Sequence, residues 1–340
     1  MRFGPVPVEQ ASGRILGHNV FDGDGRRVLR KGATLGPADV ERLRSLGREL
    51  VYVAEVEPGD VGEDEAARRI ADAVAAPGLG RSGPSTGRVN VHARERGVVI
   101  VDAGALRELN LLEGVTLATA RDHSVAQSGK MVATLKILPY ALPGVVVDEA
   151  VRVGRERGPL IDVRPLPSRR VGLVVCATEA SRERTTAGFA NALEQRLERL
   201  GSSLERIDFV VSAEDSVQSS LAAALRAQRE QGIELVVMAG ETAIQDRSDL
   251  ACRALEEAGG EVVWFGAPVD PGNLVMIGRL VELPVLGAPG CARSPKRNIV
   301  DLVLPRLLIG ERIGREDLVD LGHGGLLEDV PERPLPRERI

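Results

Sequence analysis

The chain has 340 residues, which is too many for one ordinary hydrophobic core and predicts two or three domains. Apolar residues make up 43% and charged residues 27% of the chain, as in globular proteins, but aromatic residues make up only 2%. With a net charge of −5 and so few aromatic side chains, the sequence has neither the basic footprint nor the stacking platforms that nucleic acid requires. Nucleic acid is therefore not expected as a partner.

The cysteine usage and the N-terminal sequence bear on the compartment. The three cysteines are far apart and odd in number, so they match neither a disulfide framework nor a zinc site and predict reduced thiols. The N-terminal stretch MRFGPVPVEQ lacks the apolar core of a signal peptide, and no apolar run is long enough to span a bilayer. We therefore expect a cytoplasmic protein with no membrane segment.

The first 76 residues predict a small α+β unit. A helix is expected from Pro37 to Leu46, with proline at a first-turn position and a glycine after its end. The strand ELVYVAEV follows, and a charged helix is expected from Glu63 to Ala76 because Ala67, Ile70 and Val74 share one face.

Residues 77–88, PGLGRSGPSTGR, are rich in proline, glycine and serine and predict a linker or an exposed loop. The GLGRSG match to a dinucleotide-binding loop within it is rejected, because it follows a helix and not a strand. Residues 89–167 predict a β-rich middle unit with one helix, from Leu106 to Leu112. Its expected strands are GVVIVD, GVTLATA and KMVATLKILPY.

From residue 168 to residue 312, aliphatic strands alternate with amphipathic helices. This order predicts an α/β fold, a doubly wound and mostly parallel sheet with helices on both faces, preceded by the smaller α+β and β-rich units. The last helix is expected from Pro295 to Leu308. Residues 313–340 are polar and proline-rich and predict a flexible tail.

Ligands of doubly wound sheets bind beyond the carboxyl ends of the strands, so the loops there are the candidate site. The loop at 288–298 carries three cationic side chains, Arg293 among them, and no acid. Ser294 can cap the following helix with Pro295 at its first position, which predicts an anion site at a helix start. A solvated basic helix start explains the same residues equally well.

Two other loops carry carboxylates after a strand. In AGETAIQDRSD, at 239–249, the spacing of Asp246 and Asp249 fits an N-cap and a third helical residue, so capping is a sufficient explanation. The functional alternative is that one of them accepts hydrogen bonds from a ligand or helps to hold Mg²⁺. In PVDPGN, at 268–273, Asp270 fits an ordinary turn.

The order of AGETAIQDRSD, PVDPGN and LPVLGAPGCARSPKRN resembles the molybdopterin-binding domain of molybdenum-cofactor biosynthesis proteins, which include molybdopterin adenylyltransferases and molybdotransferases. The resemblance covers residues 169–312. The branch that looks most similar is often joined to a nucleotidyltransferase, and stretches such as FGPVPVEQASGRILGH also look like that branch.

The resemblance implies a ligand site for molybdopterin, with the loop after IELVVMAG holding its pterin and phosphate ends. The cofactor-binding residues that it implies are Gly240, Thr242, Asp246, Asp270, Pro271, Gly272, Asn273, Pro289, Gly290, Arg293 and Ser294. It further implies catalytic and Mg²⁺-holding roles for Asp249, Asp215 and Glu179.

The chain departs from the family pattern at two loops. The usual Thr-Gly-Gly is AGET at 239–242, where an acidic side chain would repel phosphate unless Glu241 points away or binds Mg²⁺. The acidic Gly-Asp-Glu-Leu type of sequence is TEAS at 178–181, which leaves only Glu179 for metal or molybdate. Both departures weaken the case for turnover more than the case for binding.

Two main functions follow from the resemblance. One is Mg²⁺-dependent insertion of molybdate into adenylylated molybdopterin with release of AMP, by a molybdotransferase-like enzyme. The alternative is a non-catalytic carrier of molybdopterin or finished cofactor that serves a nucleotidyltransferase or molybdoenzyme. A third reading is an unrelated α/β enzyme for another phosphorylated ligand. The sequence does not decide whether the reaction is adenylylation of molybdopterin or insertion of molybdate. It also leaves open whether the chain forms a homo-oligomer and what residues 1–166 do.

Overall fold

The structure is a computed structural model of the chain, and it describes residues 1–213 and 215–327. The chain divides into a first unit, Met1–Arg164, and a second unit that begins at Pro165. Within the described ranges, no helix combines the length and the apolar character that crossing a membrane requires.

The first unit is built from short strands and four helices. Its strands are β1 (Arg2–Pro7), β2 (Ile15–Leu16), β3 (Val20–Phe21), β4 (Arg27–Leu29), β5 (Leu50–Glu55), β6 (Asp60–Gly62), β7 (Gly80–Arg81), β8 (Arg88–His92), β9 (Gly97–Val101), β10 (Val115–Thr119), β11 (Val125–Ala126), β12 (Met131–Ile137), β13 (Ala141–Pro143) and β14 (Ile161–Pro165). Its helices are α1 (Pro37–Ser45), α2 (Glu63–Val74), α3 (Ala103–Asn110) and α4 (Gly144–Glu156).

These strands form several small sheets. Three of the sheets have the strand orders β1-β5-β2, β10-β12-β8-β7 and β11-β9-β14, and β3–β4 and β6–β13 are two-stranded pairs. A core that includes Val8, Leu16, Leu43 and Val53 joins α1 to the N-terminal sheet. The predicted helices at 37–46 and 63–76 are confirmed to within two residues at their ends.

Helix α4 was not predicted from the sequence. Its valines favour strands by propensity, but Val147, Ala150, Val151 and Gly154 recur at helical spacing and are buried on one face. A Cβ at Gly154 would lie 2.7 Å from the carbonyl oxygen of Ala73, so α2 and α4 cross closely there. The expectation of a β-rich stretch therefore missed a helix that packing, and not local propensity, stabilises.

The predicted linker at 77–88 is part of the folded unit. Leu79 is buried, and β7 pairs with β8. The Arg81 guanidinium donates hydrogen bonds to the carbonyl oxygens of Ala71, Ala75 and Ala76, the shortest of which is 2.6 Å. These bonds satisfy carbonyl groups at the C-terminal end of α2, which fixes the segment in place.

The second unit contains one six-stranded sheet. Its strands are β15 (Arg170–Ala177), β16 (Ser203–Val211), β17 (Leu235–Gly240), β18 (Glu261–Phe265), β19 (Met276–Leu280) and β20 (Leu283–Gly287). Its helices are α5 (Arg182–Leu200), α6 (Val217–Glu230), α7 (Leu250–Glu257), α8 (Ile299–Leu308) and α9 (Arg315–Val319). The strand order is β16-β15-β17-β20-β19-β18.

Strands alternate with helices in this unit, so the predicted α/β class is confirmed, but the sheet is mixed. The strands β16, β15, β17 and β20 are parallel, whereas β19 is antiparallel to both of its neighbours. Only two residues, 281 and 282, join β19 to β20, and a connection this short permits only an antiparallel pair.

Alternate side chains of β17 face helices on opposite sides of the sheet. Val236 and Met238 belong to a core with Leu225 of α6 and Leu255 of α7. Val237 instead lines a small internal space with side chains from α5 and α8. Helices therefore cover both faces at the centre of the sheet.

The predicted flexible tail begins with folded residues. Leu318 of α9 is buried, and Arg306 of α8, which is 3% exposed, donates to the carboxylates of Glu311 and Asp317 at 2.7 and 2.6 Å. A buried guanidinium needs such partners, and these bonds hold residues 311–317 against α8. The rest of the predicted tail, 328–340, lies outside the described residues.

One glycine of the second unit has no acceptable replacement. Gly272 has φ +135° and is buried, and a Cβ there would overlap the Cβ of Ile299 at the start of α8. Gly259, at the end of α7, also has positive φ, +90°, but faces open space. Comparing alanine substitutions at the two positions therefore distinguishes the cost of backbone strain alone from the cost of strain with steric overlap.

We expect Gly272→Ala to destabilise the protein by about 3 kcal/mol and Gly259→Ala by about 1 kcal/mol, because only the first adds overpacking to left-handed strain. The free energy of unfolding, measured by urea denaturation, checks this difference. Equal losses for the two variants would contradict the role given to Ile299.

Candidate functional site

A pocket of about 410 Å³ lies in the second unit at the carboxyl ends of β15, β17 and β20. It opens on the side of the sheet that α6 and α7 cover, where Leu221 and Leu250 contribute to its wall. The lining residues are Val174, Cys176, Thr178, Ser212, Leu221, Met238, Ala239, Gly240, Glu241, Thr242, Ala243, Ile244, Asp249, Leu250, Ala251 and Ala288. The wall is thus mainly apolar, and two carboxylates are its charged groups in the described part of the chain.

The chain turns sharply where β17 ends at this pocket. A Cβ at Gly240 would lie 3.1 Å from the carbonyl oxygen of Thr242 and 3.2 Å from that of Cys176. The amide of Glu241 donates to the carbonyl oxygen of Cys176 at 2.9 Å. The small residue therefore allows the loop after β17 to fold back over the end of β15.

Glu241 joins the loops that follow β15 and β17. Its Oε2 accepts hydrogen bonds from the amide of Thr178 at 3.0 Å, the hydroxyl of Thr178 at 3.0 Å and the hydroxyl of Ser181 at 2.8 Å. The Thr178 amide first, and then the two hydroxyls, hold the pKa of this carboxyl below its usual range. The carboxylate of Glu241 thus binds the loop that follows β15.

The next three residues present unpaired main-chain donors. Among the described residues, no protein acceptor takes a hydrogen bond from the amides of Thr242, Ala243 and Ile244, all of which line the pocket. The amide of Gln245 donates to Oδ2 of Asp249 at 2.8 Å. Successive free amides of this kind can bind an anion or another acceptor.

Asp249, and not Asp246, caps α7. The Asp249 carboxylate accepts from the amide of Leu250 at 2.6 Å and from the amide of Gln245, and it lies at the pocket wall. Asp246 is exposed, and the amide of Ser248, which donates to it at 2.7 Å, lowers its pKa. Helix α7 therefore begins at Leu250, so Asp249 is its N-cap and not its third residue, and Asp246 lies before the helix.

The basic loop was also expected to start a helix, and it does not. Helix α8 begins at Ile299 and not at Pro295, and its N-cap is Asn298, whose side chain accepts from the amide of Val300. Asp301 completes a capping box by accepting from the amide of Asn298 at 2.9 Å. The predicted helix start at Pro295 is therefore wrong, and Ser294 does not cap α8.

Arg196 of α5 explains the shape of this loop. Its guanidinium is 5% exposed and donates to the carbonyl oxygens of Ala292, Ser294 and Lys296. It also donates to both carboxylate oxygens of Asp301, at 3.0 and 3.2 Å. The loop carbonyls therefore point inward to a buried cation, which prevents residues 294–296 from adopting helical hydrogen bonds.

Arg293 joins the same loop to the pocket rim. Its Nη2 donates to the carbonyl oxygens of Gly240 and Glu241 at 2.9 and 3.1 Å, and its guanidinium lies over the ring of Phe189 at 4.8 Å. The nearby Cys291 is half-buried, and burial raises the pKa of its thiol, as expected for a packing residue. Arg293 therefore supports the rim and does not point into the pocket.

The structure places few of the predicted site residues together. Gly240, Thr242 and Asp249 line the pocket. The predicted residues outside the pocket lining in the described ranges are Glu179, Asp215, Asp246, Asp270, Pro271, Gly272, Asn273, Pro289, Gly290, Arg293 and Ser294. Of these, Glu179 pairs with Arg182 at 2.9 Å, and Asp215 is exposed.

The turn after Val269 packs elsewhere in the second unit. The amide of Asp270 donates to the carbonyl oxygen of Gly325, and the amide of Ile299 donates to that of Pro271. This turn therefore contacts α8 and residues near the end of the described chain. Sequence reasoning missed Thr178, Ser181 and Ser212 as rim residues, although each follows directly or closely after a strand.

The described carboxylates do not fit a Mg²⁺ site. No three His, Cys, Asp or Glu residues in the described ranges lie close enough together to hold a metal ion. Two amides already bind Asp249, and Arg182 neutralises Glu179. Of the three acids implied for metal binding, Asp249 thus caps α7, Glu179 forms an ion pair, and Asp215 is exposed outside the pocket lining.

Comparisons with known proteins match different parts of the chain. Residues 5–55 match a family model described as a domain of unknown function (DUF8806). No curated protein matches the chain. Several solved structures with the names of molybdopterin or molybdenum-cofactor biosynthesis proteins are similar to it.

A molybdenum cofactor biosynthesis protein from Pyrococcus furiosus is 13% identical, with 94% of this chain and 65% of that chain covered and a TM-score of 0.25. The molybdopterin biosynthesis MoeA protein from Pyrococcus horikoshii is 15% identical, with 91% and 75% covered and a TM-score of 0.30. The Mog protein from Mycobacterium ulcerans is 14% identical, with 41% and 94% covered and a TM-score of 0.29. The chain thus spans about two thirds of the length of the first of these proteins.

The hydrogen bonds that the Glu241 carboxylate accepts predict that the stability of the fold depends on pH. Because its folded-state pKa is lowered, the ionised carboxylate stabilises the fold above its unfolded pKa of about 4.3, and this contribution is lost as the pH falls through the folded pKa. We expect Glu241→Gln to lower the melting temperature at pH 7 and the difference from the parent protein to shrink below about pH 4. Melting curves across pH test this.

Glu230→Gln, which changes an exposed carboxylate at the end of α6, controls for the loss of one charge. A deficit of Glu241→Gln that stays constant from pH 7 to about pH 3 would contradict the stabilising role of the ionised carboxylate.

Proposed function

We propose that the second unit binds molybdopterin in the pocket at the carboxyl ends of its strands, as a carrier and not as a catalyst. The observation that carries this proposal is the position of Asp249, whose carboxylate two amides hold at the pocket wall beside three free amides. The order of the loops in the sequence, which resembles the molybdopterin-binding family, gives the ligand class.

The pterin end has a matching acceptor. A pterin presents an amino group and a ring N–H along one edge, and a carboxylate can accept both hydrogen bonds. Each oxygen of Asp249 takes one amide hydrogen and retains a further lone pair. Leu221, Met238 and Ile244 supply an apolar wall for the flat ring. Asp249 is therefore the residue that we assign to the pterin.

The phosphate end would be held by main chain. Arg293 donates to loop carbonyls, and no Lys or Arg lines the described pocket. The free amides of Thr242, Ala243 and Ile244 are the donors that remain, and consecutive amides bind phosphate without a cationic side chain. We therefore assign the phosphate to residues 242–244 and not to the basic loop.

Retention of the ligand is favoured over catalytic turnover because two of the three implied catalytic acids lie outside the pocket lining in the described ranges. Glu179 pairs with Arg182, and Asp215 does not line the pocket in the described structure. A carrier needs only affinity and access for the nucleotidyltransferase or molybdoenzyme that it serves. Molybdate insertion is the second candidate, and it is favoured by Asp249, the one implied catalytic acid at the pocket wall.

The role of Asp249 is tested by comparing Asp249→Asn with Asp246→Asn. Asparagine caps a helix about as well as aspartate, so α7 is retained in both variants. Only Asp249→Asn changes the pocket, where it removes the charge and leaves one acceptor oxygen in place of two. We expect Asp249→Asn to bind molybdopterin about tenfold or more weakly, as loss of a charge-assisted hydrogen bond predicts, and Asp246→Asn to bind as the parent does. Equilibrium titration of pterin fluorescence measures both, and equal affinities would remove Asp249 from the site.

The choice between carrier and enzyme is tested with adenylylated molybdopterin, molybdate and Mg²⁺. We expect the full chain to retain the ligand through gel filtration while AMP release stays at the rate without protein. Molybdate-dependent AMP release would overturn the carrier role and identify a molybdotransferase. The released nucleotide is quantified by chromatography in the same samples.

A further inference from the structure

Three rings lie together on the surface of the first unit. The ring centroids of Phe3 and His18 are 5.7 Å apart, those of Phe3 and Tyr52 are 6.1 Å apart, and those of His18 and Tyr52 are 5.4 Å apart. Phe3 and Tyr52 nevertheless keep 47% and 48% of their surface exposed. A Cβ at Gly17 would lie 2.7 Å from the Phe3 ring, so this ring rests on main chain and is fixed in place.

The outer surface of β1 and β5 extends this apolar area. Pro5 pairs with Tyr52 and Pro7 pairs with Leu50, which is 59% exposed. We call this surface the aromatic face, and it consists of Phe3, Pro5, Pro7, His18, Leu50 and Tyr52. Strand β1 is at the sheet edge, and proline has no N–H to donate to an added strand. The aromatic face is therefore suited to binding through side chains.

A basic segment borders the aromatic face. Residues 26–31, RRVLRK, carry four cations and no acid. In the described part of the chain, none of these four side chains forms an ion pair. The amide of Lys31 donates to Oδ1 of Asn19 at 2.9 Å, which places the end of this segment beside the residue that follows His18. The charges here are thus available to a partner.

The opposite end of the face has a different charge balance. Glu55 lies within ion-pair distance of Arg2 at 3.7 Å and of Arg14 at 3.5 Å, and Glu57 pairs with Arg2 at 3.1 Å. These charges are balanced internally and include acids. These acids would repel a uniformly charged polyanion such as nucleic acid. A short polypeptide segment with apolar and acidic residues would instead contact the rings on one side and the cations of residues 26–31 on the other.

We propose that the aromatic face binds an acidic polypeptide segment of a partner protein. A large apolar side chain of the segment rests on the rings of Phe3 and Tyr52, and its carboxylates face the cations of residues 26–31. Exposed apolar surface rimmed by charge is the usual form of a protein-binding site, and rigid aromatic side chains contribute most of the affinity at such sites. The proposal concerns the first unit and does not depend on what the pocket binds.

The test uses the full chain and a fluorescein-labelled synthetic peptide with glutamates around a central tryptophan. We expect fluorescence anisotropy to report binding that weakens as salt is added. Tyr52→Ser and Arg27→Glu should each weaken binding about tenfold, since one removes a ring and the other reverses a cation. The matched controls Leu111→Ser and Arg107→Glu change exposed residues at α3 and should bind as the parent does.

Melting curves confirm that each variant is folded. No binding of the glutamate peptide, equal binding of its lysine counterpart, or tighter binding of an oligothymidylate would each overturn the proposal. Conversion of a dimeric parent protein to a monomer by Tyr52→Ser, measured by light scattering, would also overturn it, by assigning the face to a second copy of the chain.

Discussion

The pocket rim of the second unit depends on one chain of polar contacts that begins at a buried cation. Arg196 draws the carbonyl groups of residues 292–296 inward. That loop carries Arg293, which binds the carbonyl oxygens of the loop after β17. Glu241 in that loop then takes three hydrogen bonds from the loop after β15. A guanidinium this deeply buried is stable only when its donors are satisfied, so the three loops are fixed together.

This network determines what remains for a ligand. Arg293, which sequence reasoning assigned to phosphate, holds two loops together, and Glu179, which it assigned to metal, pairs with Arg182. The groups left at the pocket are Asp249 and the free amides after Glu241. Such a rim is rigid and provides hydrogen bonds, but it offers no cluster of acids among the described residues.

Much of the fold was predictable because its signals are local. The helices at 37–45 and 63–74 follow from caps and spacing, and the strands of the second unit follow from aliphatic runs. Helix α4 and the segment at 77–88 were misread because their conformations depend on partners distant in sequence. Helix α4 depends on the close contact of Gly154 with Ala73, which is far away in sequence. The segment at 77–88 depends on the hydrogen bonds of Arg81 to the end of α2, which a short stretch of sequence does not reveal.

By itself, the sequence determined the alternation of strands and helices, the α/β class and the loops in which a ligand site was to be sought. These properties depend on periodicity and turn chemistry within short windows. Only the tertiary structure decided that Asp249 caps α7 and lines the pocket while Asp246 lies outside it. The tertiary structure also directed Arg293 at main-chain carbonyl groups outside the pocket lining. It joined the carboxylate of Glu241, which lines the pocket, to the loop after β15. The reason is physical: a charged side chain takes the partners that folding brings within hydrogen-bond distance, and those partners lie on other strands of the sheet.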